Sequence, residues 1–258
     1  MNINMATEQV DQRDSKQVYD KAAKDFRSKA PELLTYKYIV RPSLEKAMDE
    51  HFTGDRGALS VLDIGSASGR NVNTLIEEGF KAENILGVEI SPEQVKIAKS
   101  EIPEASFEVG DISAHKLAPE RNDLAIMVMV AEFLDKDKYP QALDNILSSM
   151  KPGGVFVCVT THPKRYEAKY GAKEGSAEVT TRGPWSEDKF SNYVRSVDEQ
   201  KKAFKEAGFV VEEVEELRIP DEVDEEDRQR RAEFTLPEPY ARLTIIAKRP
   251  ETTTTTAA

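Results

Sequence analysis

The chain is poor in the residues that announce redox, metal or nucleic-acid chemistry. One cysteine in 258 residues, Cys158, lies inside an apolar run. It cannot close an internal disulfide, run a two-cysteine redox cycle or build a thiolate metal cluster. Basic residues are outnumbered, 36 Lys and Arg against 47 Asp and Glu, for a net charge of -11. A general binder of nucleic-acid backbone needs clustered Lys and Arg to neutralise phosphates, so that class is set aside. No apolar run approaches the ~20 residues that span a bilayer. The N-terminus also lacks the basic-then-apolar order of a secretion signal. The expectation is a cytoplasmic protein with no metal, no membrane and no nucleic-acid partner, working as a monomer or homodimer.

What the sequence does have is alternation between short apolar runs and helical periodicity. From Ser15 a helix is expected, with Val18, Ala22 and Phe26 on one face. A second helix runs from about Arg41 to Phe52, with Pro42 in its first turn and His51 at its surface end. Strand Leu59–Ile64 passes through Gly65-Ser66-Ala67-Ser68-Gly69 into helix Asn71–Glu78, which stops at Gly79. Strand Ile85–Glu89 precedes a helix opened by Ser91-Pro92-Glu93-Gln94, whose spacing is that of a capping box. Strands Ser106–Val109, Asp123–Val130 and Val155–Thr161 follow, with helix Pro140–Met150 before the last. Short loops and nearly all-apolar strands imply βαβ units and a mainly parallel sheet covered on both faces.

After Thr161 the pattern changes. Residues 162–193 are polar and aromatic without a clear period and read as an inserted cover. Ser196-Val197-Asp198-Glu199 starts a helix that ends at Gly208. Strand Phe209–Leu217, an acidic excursion and strand Ala241–Ala247 complete the chain, and these last two strands are expected to pair antiparallel at one edge. The acidic stretch Glu212–Glu226 reads either as a docking surface for a cationic partner or as a solvated face. Residues 1–14 and 251–258 are expected to be mobile tails, leaving one domain over 15–250, with cap helices at 15–56 and a lid at 162–193. No internal repeat is visible.

Three acids stand where strands end: Asp63, Glu89 and Asp111. In an open α/β sheet, ligands bind beyond the carboxyl ends of the strands near the switch in strand order, so these three would line one crevice. Glu89 lies 20 residues beyond Gly69, the spacing at which a carboxylate accepts from ribose hydroxyls. Asp111 is placed to accept from an adenine amine, and Ile90 and Ile112 to sandwich the ring. A dinucleotide turn would prefer Gly-x-Gly-x-x-Gly. Here Arg70 occupies the third glycine position counted from Gly65, which disfavours an oxidoreductase.

The ordered set Asp63-x-Gly65-x-Ala67-x-Gly69, Glu89-Ile90-Ser91, Gly110-Asp111-Ile112 and Lys151-Pro152-Gly153-Gly154 resembles the class I S-adenosylmethionine-dependent methyltransferases of small molecules. The likeness covers roughly residues 15 to 249. It implies a Rossmann-like, doubly wound, seven-stranded sheet, mostly parallel with a reversed last strand. It also implies S-adenosyl-L-methionine as donor, with S-adenosyl-L-homocysteine as product. Asp63, Gly65, Ser66, Ala67 and Gly69 correspond to the donor loop, Glu89 to the ribose acid and Asp111 to the adenine-side acid. Two positions depart from the family pattern: Ser66, where cysteine or glycine is usual, and Ala67, where the middle glycine is commonest. The segment from Tyr19 to Phe26 resembles the opening part of small-molecule members that folds over the donor. Tyr19 would then reach the methionyl carboxylate, the alternative being a half-buried tyrosine on a surface helix. Arg41 and Arg70 are further candidate carboxylate partners, each equally well explained as a surface charge.

The acceptor side is less determined. Met127, Val128 and Met129 form an apolar wall after the fourth strand, either against the donor's methionyl arm or as core. His162 follows the fifth strand and is a candidate base or orienting residue, or the cap of a strand end. Glu132 is a candidate for attracting a cationic amine. Tyr166, Tyr170, Trp185 and Tyr193 either shape an acceptor pocket or form the lid's own core. Tyr193-Val194-Arg195 resembles a Tyr-x-Arg segment of some relatives, which would let Arg195 bind an anionic acceptor group or an acidic neighbour. The reading is a methyltransferase acting on a small N, O or C nucleophile by in-line displacement. An inactive, partner-binding subunit of the same fold is the main alternative.

Overall fold

In the computed structural model the alternating runs form one sheet, β3-β2-β1-β4-β5-β9-β8. The structure describes residues 15–29, 34–172, 178–182, 189–227, 229 and 241–251. The elements in chain order are helix α1 (Ser15–Lys29), helix α2 (Arg41–His51), strand β1 (Val61–Ile64), helix α3 (Arg70–Glu77), strand β2 (Ile85–Glu89) and helix α4 (Pro92–Glu101). Strand β3 (Ser106–Val109), strand β4 (Asn122–Val128), helix α5 (Lys138–Ser149) and strand β5 (Met150–Thr161) follow. Then come helix α6 (Pro163–Tyr170), strands β6 (Val179–Arg182) and β7 (Lys189–Asn192), helix α7 (Val197–Glu206), and strands β8 (Val210–Leu217) and β9 (Arg242–Lys248).

Strands β1 to β5 are parallel, β9 runs against β5, and β8 runs against β9. Strand order reverses at β1, whose neighbours are β2 and β4, so the crevice beyond Ile64 is the natural ligand position. The expected reversed last strand is β9, which lies inside the sheet, and β8 forms the edge. Burial explains why the strands read as continuous apolar runs. On β4, Leu124, Ile126 and Val128 pack with α2, α3 and α4, while Ala125 and Met127 pack with α5 and α7 on the other face. Strand β5 alternates in the same way, Val155, Val157 and Val159 against Phe156 and Cys158. Phe156, Phe204 and Phe209 form a stacked and tilted trio on the second face.

Strand β4 ends two residues before the sequence suggests, because Met129 takes a left-handed φ of 58° and turns the chain. Met127 is fully buried core and does not line the crevice. A π-helical turn, Tyr36–Val40, runs directly into α2 and was not anticipated. Helix α6 gives order to the first part of the aromatic segment: His162 caps its start and Gly171, at φ 66°, ends it. Strands β6 and β7 then form a separate antiparallel hairpin.

The acidic stretch is neither a bare docking surface nor merely solvated. Glu213 and Glu215 accept from Lys46 at 2.7 and 2.8 Å, Glu212 pairs with Lys248, and Asp224 and Asp227 both accept from Lys37. These carboxylates tie the N-terminal helices to the strand pair at the end of the sheet. No described helix is long and apolar enough to cross a membrane.

Candidate functional site

The turn after β1 is built from left-handed backbone. Gly65 and Gly69 have φ of 69° and 90°, and Ala67 between them has φ 45°. A Cβ on Gly65 would stand 2.2 Å from Val130 Cγ2, so glycine is favoured there by space as well as by φ. At Gly69 it is φ that favours glycine, the nearest atom being the movable tip of Ile102 at 2.7 Å. At Ala67 the methyl group is tolerated in a conformation that costs an L-residue roughly 1–2 kcal/mol. The turn is anchored by Gly65 N–H donating to Val88 O at 2.7 Å and Gly69 N–H donating to Ser66 O at 2.9 Å.

Glu89, 7 % exposed, faces this turn. Its Oε2 accepts from Ala67 N–H at 3.1 Å and its Oε1 from Ser91 N–H at 2.8 Å. Burial pushes its carboxyl above the ordinary range, against the pull of the backbone N–H groups of Ser91, Ala67 and Ile90. A carboxylate offers about four acceptor sites, so beyond its backbone donors Glu89 keeps capacity for a ligand hydroxyl.

Asp63, completely buried at the end of β1, is pushed up to about 7 by burial, with Glu89 adding to the rise and Asn71 and Arg70 opposing it. Its Oδ1 accepts from Asn71 Nδ2 at 3.4 Å. Asp63 Oδ2, Ser66 Oγ and Asn71 Oδ1 are buried without a hydrogen-bond partner. Buried polar atoms without partners are uncommon because each costs about 1–3 kcal/mol. Three at one turn fit a polar ligand group that both donates and accepts. The guanidinium of Arg70 lies 3.8 Å from the centroid of the Tyr36 ring. Burial lowers its pKa, while Tyr36, Asp63 and Tyr19 act in the other direction, which places this cation beside the turn. Arg41 is instead paired on the surface with Glu45 and Glu77.

Asp111 caps the turn after β3. Its Oδ1 accepts from Ser113 N–H and Oγ–H, and its Oδ2 from Lys138 Nζ at 2.8 Å. Burial would raise this carboxyl, but Lys138 and Ser113 together hold it below its ordinary value. An adenine amine there would share the carboxylate with Lys138. Ile90 is half-buried at the crevice, whereas Ile112 belongs to the core cluster of Leu62, Ile64 and Val88. Val128 is likewise buried, in the cluster on the opposite face.

Helix α1 crosses above this half of the site. Asp20 accepts from Ser91 Oγ and, at 3.5 Å, from Glu93 N–H, so it sits at the N-terminus of α4, two residues from Glu89. Tyr19, one residue earlier, packs edge-on against Phe133 with ring centroids 5.8 Å apart. Burial raises its hydroxyl pKa, with further contributions from Glu132 and Glu89. Tyr19 therefore stands between Glu89 and the turn after β4.

Beyond β4 and β5 a second polar centre forms. Glu132, 4 % exposed, accepts from Thr160 Oγ at 2.9 Å and from Thr161 Oγ at 3.0 Å. Burial raises its pKa, opposed by its own backbone N–H, Arg242 and the two threonines. Tyr166, on α6, is buried beside it and donates to Asn192 Oδ1 at 3.0 Å, while Asn192 Nδ2 donates to Thr181 Oγ1. Tyr193 N–H donates to Glu132 O at 2.7 Å. Tyr170 is exposed, 6.3 Å from Tyr166 between ring centroids, and Trp185 lies outside the described residues.

His162 and Arg195 have other engagements. His162, 1 % exposed, accepts from Lys164 N–H at Nδ1 and pairs through Nε2 with Glu216 at 2.8 Å, so it joins α6 to β8. Arg195 donates to the carbonyls of Ala131, Leu134 and Asp135 and lies 4.1 Å over the Tyr139 ring. Its guanidinium fixes the turn that carries Glu132; among the described residues it forms no ion pair, although Glu199, Asp135 and Glu132 are near enough to oppose the fall of its pKa on burial. Asp20, Thr160, Thr161 and Asn71 were not singled out from the sequence. The adjacency of Asp20 to Tyr19 and the position of the threonines at the end of β5 were the signals available.

The family described as "Methyltransferase domain" matches residues 61–154, from β1 to the beginning of β5. A demethylmenaquinone methyltransferase of Lactococcus lactis is 23 % identical over 167 residues, 63 % of this chain and 65 % of that protein. This chain therefore spans about two thirds of that relative's length. An S-adenosylmethionine-dependent methyltransferase from Mesorhizobium loti superposes with a TM-score of 0.59 at 20 % identity, over 79 % of this chain and 96 % of the other. A chain from the complex between the Haloferax volcanii Trm112 methyltransferase activator and a putative methyltransferase reaches 0.67 at 19 % identity, over 93 % and 99 %.

Proposed function

From a chain that is a class I S-adenosylmethionine-dependent methyltransferase by its fold and by its domain at residues 61–154, we propose a transferase that moves a methyl group to a small-molecule nucleophile. The bound donor would supply a sulfonium already activated for displacement. Glu89 would hold the ribose hydroxyls, and Asp63, Ser66 and Asn71 would supply their open buried atoms to the methionyl end. Arg70 stands beside that turn as the cation for a carboxylate. Beyond this, the protein's part is to align a nucleophile behind the methyl carbon and keep water out.

The observation that carries this reading is the turn at Gly65–Gly69, whose Ala67 N–H donates to the buried Glu89, with three buried polar atoms without partners at or beside that turn. A small acceptor is favoured by the cap: α1 and α6 leave aromatic side chains over the strand ends, and the net charge of -11 disfavours nucleic acid. Titration calorimetry tests the donor. S-adenosylhomocysteine should bind the wild type, and Glu89→Ala should weaken it at least tenfold, as expected for loss of charge-assisted bonds of about 1.5–3 kcal/mol each. Absence of binding to the wild type, or binding of a nicotinamide dinucleotide instead, would overturn the reading.

A further inference from the structure

Resting on that proposed methyl transfer, we infer that Glu132 is the anionic floor of the acceptor subsite and that the acceptor is a small amine arriving as its ammonium ion. Glu132 follows β4 by four residues, and Val130 between them is the side chain that packs against Gly65. Glu132 thus belongs to the turn after β4, the strand beside β1, and Val130 of that segment touches the turn at Gly65. Both of its oxygens are oriented, by the hydroxyls of Thr160 and Thr161. Those donors are neutral. A buried carboxylate fixed by neutral hydroxyls retains acceptor capacity; among the described residues no ion pair contacts Glu132, and Arg242 acts on it only through space.

The two nearby guanidinium groups feel the carboxylate's charge but donate hydrogen bonds to other groups. Arg195 serves three carbonyls, and Arg242 donates to Ala241 O and Thr35 Oγ1. Tyr19 and Tyr166 lie near enough for their hydroxyls to feel the carboxylate, and Phe133 packs edge-on against Tyr19, so aromatic rings that can attract a cation stand close by. A carboxylate or phosphate acceptor would meet like charge here, and a neutral alcohol would leave the charge unmatched.

The chemistry balances with the donor already proposed. The ammonium gives one proton to Glu132, whose burial raises its affinity for it. The freed nitrogen lone pair attacks the methyl carbon. The N–C bond forms as the C–S bond breaks, and the electron pair stays on sulfur, leaving a neutral thioether. The product leaves as the N-methylated ammonium, and the proton on Glu132 passes to solvent.

A charge series of matched shape tests this on the full chain. Benzylammonium, benzyl alcohol, benzoate and 1-naphthol are titrated with and without saturating S-adenosylhomocysteine, methylammonium and methanol serving as smaller probes. At least one ammonium should bind ten or more times tighter than its neutral counterpart and than benzoate. Glu132→Gln should remove that preference while S-adenosylhomocysteine affinity stays within about twofold. Thr161→Val, which leaves the charge but loosens its orientation, should weaken ammonium binding less. Equal affinity across the series, tighter binding of benzoate or 1-naphthol, or an unchanged preference in Glu132→Gln would overturn the inference. A Glu132→Gln that lowers only the melting temperature would make the residue structural and have the same consequence. Failure of S-adenosylhomocysteine to bind overturns the donor reading instead, and the series without it still decides the charge of the subsite.

Discussion

The two halves of the crevice are made differently. On the side of β1, β2 and β3, the site is mostly backbone: left-handed turns, N–H groups aimed at Glu89, and glycines where a Cβ would collide. On the side of β4 and β5 it is mostly side chain, assembled across long stretches of sequence. Glu132 meets Thr160 and Thr161 28 and 29 residues later, and Arg195 returns 64 residues to hold Ala131 O. A backbone site is fixed once the turn forms, whereas a side-chain site can be re-specified by a few substitutions. On the proposed reading the donor half rests on backbone that the fold itself supplies, and the acceptor half on side chains brought together from distant parts of this chain.

Three experiments break or sharpen that contrast. The largest effect is expected from Gly65→Val, which places a branched side chain in left-handed backbone and into Val130. It should cost about 2–5 kcal/mol in chemical denaturation and abolish S-adenosylhomocysteine binding. A variant that binds normally would show the turn to be adaptable and the contrast false. Next comes the pH dependence of Asp63. Its carboxyl is raised in the folded state, so the unfolded chain gives up that proton at lower pH and stability falls as pH rises from about 4 to about 7. Without ligand, Asp63→Asn should escape that loss and exceed the wild type at pH 8 by on the order of 2–4 kcal/mol, while binding the donor poorly. Parallel melting curves from pH 5 to pH 8 would contradict it. The smallest is Arg195→Ala, which should lower stability by about 2–3 kcal/mol through orphaned carbonyls. It should leave S-adenosylhomocysteine affinity within about threefold and reduce turnover, because the turn it holds belongs to the other half. A tenfold loss of donor affinity would merge the two halves into one.

The same difference explains what the sequence made legible. Strand, glycine turn, helix and terminal acid are local features, so Asp63, Glu89 and the sheet could be read from spacing alone. Asp63 and Glu89 lie at the ends of β1 and β2, and Asp111 just after β3, as the pattern implies. The partners of Glu132, His162 and Arg195 depend on which distant elements meet, and periodicity does not encode that. Arg195, expected near an anion, holds carbonyls, because the turn after β4 lies where a Tyr-x-Arg motif alone could not locate it. The π-helical turn at Tyr36–Val40 carries no sequence signal of the kind that caps give to α4 and α7.

The ion pairs between the N-terminal helices and the last strands bear on how the chain folds. Lys37 meets Asp224 across 187 residues, and Lys46 meets Glu213 and Glu215 across 167 and 169. Contacts of such separation form late, since loop closure must come before any gain from them. The seat of the π-helical turn and α2 is therefore completed by the chain's final strands. A nascent chain released only as far as β5 would already hold its glycine turn, yet would lack the strand pair on which these helices are anchored.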